Sequence, residues 1–440
     1  MNISKSLLLA TAIAGLTGCG SGSDTASSVA PDPVATQADP TPTSSKLTIR
    51  GAVTDDPIDS ASVMFNVGER QFEATRISDV NGTFEVEIEY DSLDDIVYGE
   101  ALRGATNIHF LGDVTTVGDL LAQAHDGAVN GGRITNITTA KFALARNSTD
   151  DGIIDSYAEF RQASLGVDPE QLLNVGAAIK AVVEAIDGTT LPSDVSDTLA
   201  LADGLADGSS TFIADLNEVS PGTMVASIDK LLSDGFATMD FYSDDVPGVY
   251  LSTTSLKTFA LFVDGSGLVN TFDDSPISRV SQWGVNADGD LSLVYAADAN
   301  KTDVLRLLSA TAGRLQINSK SLVSNDEEEK FYDVASFKFY EFDGRFDAAS
   351  AAGAYNVQDG SDFVLSTDGS GYFADANGTV SGNLSWRVAG DGRLVLTLGG
   401  GLEQTLTRLT GEDGELRVLS LTTRTGGAVE SLVVESIEKS

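Results

Sequence analysis

Apolar and polar positions alternate in short runs where the folded part of the chain begins. Residues 47–53 alternate, residues 61–67 are apolar and rich in β-branched side chains, and residues 83–90 alternate strictly. A period of two places every second side chain on one face of a strand. Turn signals separate the runs at Asp55-Asp-Pro57 and Val80-Asn-Gly82. The pattern predicts a β-sandwich over residues 47–112.

This segment resembles the carboxypeptidase-regulatory-like, or transthyretin-like, β-module. The family's pattern of Gly-x-Val, Pro-Ile-x-x-Ala-x-Val and Asp-x-x-Gly-x-Phe is present as Gly51-Ala-Val53, Pro57-Ile-Asp-Ser-Ala61-Ser-Val63 and Asp79-Val-Asn-Gly82-Thr-Phe84. The resemblance implies a spacer or a support for binding, and it brings no catalytic residues.

From residue 113 to residue 240 the apolar positions recur at helical spacing. The clearest helix opens at Asp168, which can cap, followed by Pro169 at the first helical position and Gln171 to complete a capping box. Its apolar face continues until Gly188 and comprises Leu172, Val175, Ile179, Val182, Val183 and Ile186. We interpret such faces as core, and the segment as a helical region.

The C-terminal part of the chain is duplicated, in copies that span residues 241–345 and 346–440. The sequence around Tyr250 returns at Tyr355, Asp264-Gly-Ser-Gly267 returns at Asp368-Gly-Ser-Gly371, and Trp283 returns as Trp386, with offsets of 105, 104 and 103 residues. Loop-length changes between equivalent strands produce such a drift. Each copy predicts strands joined by Asp-Gly hairpins, and it resembles a lipocalin-like β-meander. One shared barrel and two separate barrels both fit this spacing.

The two tryptophans are the candidate ligand-binding residues of these copies. Trp283 and Trp386 could be platforms on which sugar rings stack. We favour the alternative that each fills a core, because apolar positions alternate on both sides of it. The Asp-Gly-Ser-Gly tetrapeptides are interpreted as turns.

The N-terminus resembles a bacterial lipoprotein signal. Lys5 precedes a short apolar run, and Leu16-Thr17-Gly18-Cys19 forms a lipobox around the only cysteine of the chain. The resemblance implies removal of residues 1–18 and lipidation of Cys19. A secreted protein with a spare thiol is the alternative, and the apolar run is shorter than the roughly 20 residues of a membrane-spanning helix. Residues 19–46, rich in Ser, Thr, Asp and Pro, follow as the lipidated cysteine and a disordered stalk.

Net charge narrows the classes of partner. Removing residues 1–18 removes one lysine and no acid, which leaves 26 basic residues against 65 acidic residues and a formal charge of −39. Such a surface repels phosphate backbones, so nucleic acid is excluded as a partner. In the resemblance to bacterial lipoproteins, an aspartate directly after the cysteine implies retention in the inner membrane, and Gly20 occupies that position here, which favours the outer membrane.

Few residues suggest chemistry. The two histidines, His109 and His125, lack the motifs of hydrolases or zinc enzymes. A degenerate calcium loop begins at Asn147, but its twelfth position is Ala158 and the nearest acid is Glu159, so we interpret it first as a helix-capping loop and second as a calcium site. Its candidate ligands are Asn147, Thr149, Asp151 and Asp155.

The sequence therefore predicts a multidomain, mainly β protein with a helical middle. We expect an envelope-anchored lipoprotein with a structural or binding role, held to the membrane by the lipid on Cys19 and without a cofactor. Its partner is expected to be a glycan, another envelope protein or a small apolar ligand in the mouth of a barrel. The alternatives are a surface carbohydrate hydrolase that uses unidentified carboxylates, and a calcium-dependent adhesin.

Overall fold

The structure is a computed structural model. It describes residues 45–54, 58–74, 78–124, 128–233, 239–254, 257–271, 276–311, 314–323, 333–342, 345–357, 362–374, 379–410 and 416–439. The lipobox with Cys19, nearly all of the predicted stalk, and His125 lie outside these residues.

Two β-sheets form the N-terminal part of the chain. One has the strand order β4-β1-β8, and the other has the order β3-β2-β5-β6 with β7 also paired to β5. Their buried faces share one core, in which the rings of Phe65 and Phe84 lie 5.6 Å apart between centroids. The strands are β1 (Ser45–Thr54), β2 (Ser62–Val67), β3 (Arg70–Glu73), β4 (Thr83–Tyr90), β5 (Ile96–Arg103), β6 (Ile108–Leu111), β7 (Thr115–Thr116) and β8 (Ala128–Thr135).

Strand β8 lies in the segment for which the sequence pattern predicts helices. It pairs in parallel with β1, from Thr48 opposite Ala128 to Thr54 opposite Thr135. The strand contains Gly131 and Gly132, and its polar residues do not alternate with apolar ones. A Cβ on Gly51 would lie 1.9 Å from the carbonyl oxygen of Gly132. The glycines thus permit a close pairing that a hydrophobicity pattern does not reveal.

Helices cover the sandwich and extend its core. Thr135 begins the helix that follows β8 with a capping box, and Asp168 caps the longest helix by accepting a hydrogen bond of 2.9 Å from the backbone N–H of Gln171. Within the described residues, no helix has both the length and the apolar composition needed to cross a membrane. The helices are α1 (Val117–Gln123), α2 (Asn136–Asn147), α3 (Tyr157–Leu165), α4 (Pro169–Val183), α5 (Thr198–Ala206), α6 (Phe212–Val219), α7 (Thr223–Ser233) and, later in the chain, α8 (Ala348–Ala351).

A buried carboxylate joins the ends of α4 and α7. Glu184 lies 2.5 Å from the amine of Lys180, which is 1% exposed, and it also accepts a hydrogen bond from Lys230. Burial raises the pKa of Glu184, but the bonds from both lysines outweigh burial and hold the pKa below its usual value of 4.5. The charged carboxylate therefore stabilises the native state above that value, and the contribution is lost as pH falls through the lowered pKa.

We expect Glu184→Gln to lower the free energy of unfolding by about 2 kcal/mol at pH 7, because glutamine has one acceptor oxygen for two lysines and no charge to balance the buried Lys180. The difference from wild type should shrink as pH falls below the usual carboxyl value. Urea unfolding at a series of pH values measures it. The exposed Glu170→Gln on the first turn of α4 is the matched control. A difference that grows at low pH would contradict the assignment.

The C-terminal half consists of two closed barrels. In the first barrel each strand pairs with the next, and β16 returns to pair with β9, which closes a ring of eight antiparallel strands. The strands are β9 (Gly248–Ser252), β10 (Thr258–Leu261), β11 (Gly267–Asn270), β12 (Ser278–Val285), β13 (Leu291–Tyr295), β14 (Lys301–Thr311), β15 (Arg314–Val323) and β16 (Asp333–Phe342).

The second barrel repeats this topology, with β24 returning to β17. Its strands are β17 (Gly353–Val357), β18 (Asp362–Leu365), β19 (Ser370–Ala374), β20 (Val380–Val388), β21 (Leu394–Thr397), β22 (Leu402–Thr410), β23 (Leu416–Arg424) and β24 (Val429–Lys439). The mainly β fold with a helical middle and a duplicated antiparallel barrel region is thus confirmed. Each copy forms its own ring.

The barrels meet along an apolar seam. The end of β16 leaves the first ring and pairs with β22 of the second, so that Phe342 lies opposite Leu409. Tyr340, which is 1% exposed, packs in this seam with Leu409 and Leu432. The outer walls of β9, β10 and β16 therefore bury their apolar side chains against the outer walls of β22, β23 and β24.

Polar contacts hold the first barrel against the helical region. The guanidinium of Arg306 on β14 donates to both carboxylate oxygens of Asp290, each at 2.6 Å, and to the carbonyl oxygen of Leu232 at the end of α7. On β15, the amide of Gln316 donates to the carbonyl oxygen of Val167 at 2.9 Å. Leu308, 1% exposed, completes the core of the sandwich and helices. Helices and first barrel thus share a buried junction.

Candidate binding site on the duplicated barrels

The two tryptophans occupy equivalent positions down to their hydrogen bonds. The indole N–H of Trp283 donates to the carbonyl oxygen of Phe262 at 2.8 Å, and that of Trp386 donates to the carbonyl oxygen of Ser366 at 2.8 Å. The backbone N–H of each tryptophan donates to the carbonyl oxygen of the glycine in the preceding Asp-Gly hairpin, Gly265 or Gly369, also at 2.8 Å. Both rings are half-buried, and each packs against the core of its own barrel.

Tyrosine and phenylalanine side chains close one end of each barrel in the same way. The hydroxyl of Tyr250 donates to the carbonyl oxygen of Val246 at 2.8 Å, and Tyr355 donates to Ala351 at 2.7 Å. The backbone N–H of Phe241 donates to Gly289, as that of Phe346 does to Gly392. The cavity beside Phe241 and Tyr250 has a volume of about 30 Å³, room for one or two water molecules.

At its opposite end the first barrel has a polar interior. The hydroxyl of Tyr295 donates to Asp303 at 2.5 Å, and the hydroxyl of Ser321 donates to the other oxygen of the same carboxylate. Burial raises the pKa of the Tyr295 phenol, and the charge of Asp303 raises it further. In the second barrel, Gln404 occupies the position of Asp303, and its side-chain amide donates to the hydroxyl of Ser420 at 2.7 Å. These groups satisfy one another, so they stabilise the barrel end rather than present free donors.

A larger concave site lies on the outer rim of the second barrel. It has a volume of about 280 Å³ and is lined by the polar side chains of Thr397, Glu403, Thr423, Arg424 and Thr425. Gly401 and Gly427, both with positive φ, form its edge. We call this site the rim pocket. Thr397, Glu403 and Thr423 lie in one row across β21, β22 and β23, since Thr397 pairs with Glu403 and Glu403 with Thr423.

The candidate calcium loop is engaged in contacts of its own. The amide of Asn147 donates to the carbonyl oxygen of Ala206 at 2.8 Å, Thr149 donates to Arg146 at 2.7 Å, and Asp151 accepts from the backbone N–H of Ile153. The backbone N–H of Asp155 donates to Glu159 at 2.8 Å. Among the described residues, no group of three or more His, Cys, Asp or Glu side chains could hold a metal ion.

His109 makes contacts that link the sandwich to the helical region. Its Nε2 lies 2.6 Å from Oε1 of Glu100, and its Nδ1 lies 3.8 Å from Oδ1 of Asp197, the residue that caps α5. Its backbone N–H and carbonyl both bond to the hydroxyl of Thr198. These contacts join β6 to the start of α5.

Sequence reasoning singled out Trp283 and Trp386 but missed the rim pocket. The residues of the rim pocket belong to three strands and carry no motif. A signal nevertheless exists in the repeat, because the second copy has polar or charged residues at rim positions where the first copy has mostly apolar ones.

No known family model matches the chain, and no curated protein sequence matches it. By its fold, the chain is a mainly β protein that consists of a sandwich, a helical layer and two up-and-down barrels, one in each copy of the repeat.

Proposed function

We propose that the chain is an envelope-anchored lipoprotein whose duplicated barrels have a structural or binding role rather than an enzymatic one. The observation that carries the proposal is the filling of both barrels. Leu291 and Leu293 in the first barrel, and Leu394 and Leu396 in the second, are completely buried within apolar cores. Barrels packed in this way offer their walls and rims to a partner, whereas a carrier of apolar ligands needs an internal cavity.

The anchor in this proposal is the lipid on Cys19. Attached acyl chains give stable membrane binding when two or more are present. The stalk of residues 19–46 then separates the lipid from β1. As a flexible coil, such a segment spans roughly 30 Å between its ends. The sandwich would thus stand clear of the membrane, with the helices and the barrels following it along the chain.

Charge and donor chemistry limit the partners in this proposal. The formal charge of −38 for the whole chain disfavours nucleic acid and anionic surfaces, so we propose a glycan or another envelope protein. The proposed protein has no resident cofactor. The sequence supports this, because the acid that would complete the candidate calcium loop is Glu159, one residue after the twelfth position of that loop.

The test is Cys19→Ser in the full chain. We expect the protein to move from the outer-membrane fraction to the soluble fraction and to lose all incorporation of labelled palmitate, because the lipidated thiol is absent. Cell fractionation and metabolic labelling measure the two effects. Ser21→Ala, two residues further on, is the matched control and should leave both unchanged. Retention of Cys19→Ser in the membrane fraction would overturn the anchor.

A further inference from the structure

The rim pocket is a place where the two copies of the barrel differ. Strand pairing makes the comparison residue by residue, because Leu293 opposite Asp303 corresponds to Leu396 opposite Gln404. The same register aligns Thr397, Glu403, Thr423 and Arg424 of the second barrel with Val294, Thr302, Leu322 and Val323 of the first. Two apolar side chains are thus replaced by threonines, a third by an arginine, and one threonine by a glutamate, while Leu402 stands where the first copy has Lys301.

This difference contrasts with the conserved construction of the two barrels elsewhere. The tryptophan, tyrosine and Asp-Gly-Ser bonds are the same in both copies, with Asp264 and Asp368 each accepting from the backbone N–H and the hydroxyl of a serine. The residues that hold the fold are shared, whereas those of the rim pocket are particular to the second copy. Polar groups gathered in a concavity can orient a ligand through hydrogen bonds.

Charges around the rim pocket are balanced, unlike those of the chain as a whole. Arg424 bonds to Glu430 at 2.7 Å, and Arg387 lies 3.8 Å from Glu403. Two guanidiniums therefore accompany two carboxylates, in a protein whose formal charge is −38. Such a site has no net attraction for an anion or a cation. It does offer hydrogen-bond donors and acceptors close together.

The edge of the rim pocket is held in place by both barrels. The backbone N–H and the hydroxyl of Thr425 donate to the carbonyl oxygen of Gly401, at 2.8 and 2.9 Å. From the first barrel, Arg279 donates to the carbonyl oxygen of Gly427. The two loops that overhang the site are thus linked to each other and to the neighbouring barrel. This fixes the site before a ligand arrives, which reduces the entropic cost of binding.

We propose that the rim pocket binds one neutral sugar residue of a glycan. Hydroxyl groups of a sugar both donate and accept, and Thr397, Glu403 and Arg424 offer them a hydroxyl, a carboxylate and the N–H groups other than the Nε–H that Arg424 donates to Glu430. The hydroxyls of Thr423 and Thr425 donate to the carbonyl oxygens of Glu403 and Gly401, which leaves their lone pairs as acceptors for the sugar. The volume of about 280 Å³ accommodates a single ring. The inference rests on the proposed binding role of the barrels, to which it adds the ligand class and the site. Since the rim pocket has threonines in place of a stacking aromatic, we expect a dissociation constant of about 1 mM.

The experiment is saturation-transfer difference NMR on the full chain as it is purified from cells. The probes are the methyl glycosides of glucose, galactose, mannose and N-acetylglucosamine, with glucuronate as the charged comparison. Two variants place first-barrel residues in the second barrel: Thr397→Val, as at Val294, and Glu403→Thr, as at Thr302. Each should weaken binding at least tenfold, because a hydrogen bond to the sugar is lost. Thr302→Val in the first barrel is the matched control and should bind as wild type does.

The result that supports the proposal is transfer to at least one neutral glycoside, its loss in both rim variants and unchanged melting temperatures, since the substituted side chains lie on the surface. Transfer to none of the neutral probes would overturn it, as would equal binding by the rim variants or preference for glucuronate. Failure here leaves the fractionation of Cys19→Ser unaffected. Failure of the anchor would be seen in that fractionation while sugar binding is still measured, so the two outcomes are distinguishable.

Discussion

Replacing Arg306 with methionine is expected to lower the free energy of unfolding by about 3–5 kcal/mol, the usual loss when one partner of a buried ion pair is removed. The side chains of Arg306 and Asp290 are 11% and 9% exposed, and the guanidinium also binds the carbonyl oxygen of Leu232. Methionine fills much of the same space but leaves the carboxylate buried without its counter-ion. Chemical unfolding measures the loss.

The matched control for this variant is Arg393→Met. Arg393 also bonds to an aspartate, Asp391, but both side chains are about half exposed. A surface pair of this kind contributes about 0–1 kcal/mol. The double variant Arg306→Met with Asp290→Asn should recover part of the loss, because no charge then remains buried. A loss below 1 kcal/mol for Arg306→Met alone would show that the junction tolerates an unpaired Asp290.

Replacing Tyr340 with alanine is expected to cost about 3–5 kcal/mol, as for other large aromatic side chains removed from a core. The ring lies in the seam between the barrels, with the guanidinium carbon of Arg417 at 5.5 Å and the amine of Lys338 at 5.4 Å from its centroid. Because the seam joins the barrels, we also expect the second barrel to melt separately from the rest. Differential scanning calorimetry would then show an added transition.

Tyr340→Phe is the control for this prediction. It keeps the ring and its contacts with both cations, so it should cost less than about 1.5 kcal/mol and leave the number of transitions unchanged. A single, cooperative transition in Tyr340→Ala would contradict the inference that the seam couples the two barrels.

Local signals in the sequence predicted most of the fold. The Asp-Gly hairpins and the alternation beside each tryptophan are properties of neighbouring residues, and they were sufficient for the mainly β class and the duplication. Such local signals do not determine the number of barrels. Ring closure depends on the pairing of Tyr250 with Phe339, which are distant along the chain. Spacing within a copy is the same whether its last strand returns to its own first strand or joins the other copy.

The rim pocket is harder to predict from the sequence than the fold is. Its threonines and charged residues are spread over three strands, and each is ordinary for an exposed strand position. Only alignment of the copies shows that Arg424 stands where the first copy has Val323. Strand β8 was not predicted for a different reason. Its glycines allow its backbone to lie close to that of β1, and they produce no alternation of apolar and polar residues.

Closure of both rings affects how copies of the protein would interact on a membrane where they are concentrated. Proteins tethered to one leaflet diffuse in two dimensions and collide often, so any unpaired strand edge becomes a template for polymerisation. The sixteen barrel strands all have neighbours on both sides. At the edge of the N-terminal sheet, β4 has Glu85 and Glu87 paired with Arg50 and Lys46, charges that disfavour joining another strand. With the proposed anchor, the barrels would thus present fully paired strands to neighbouring copies.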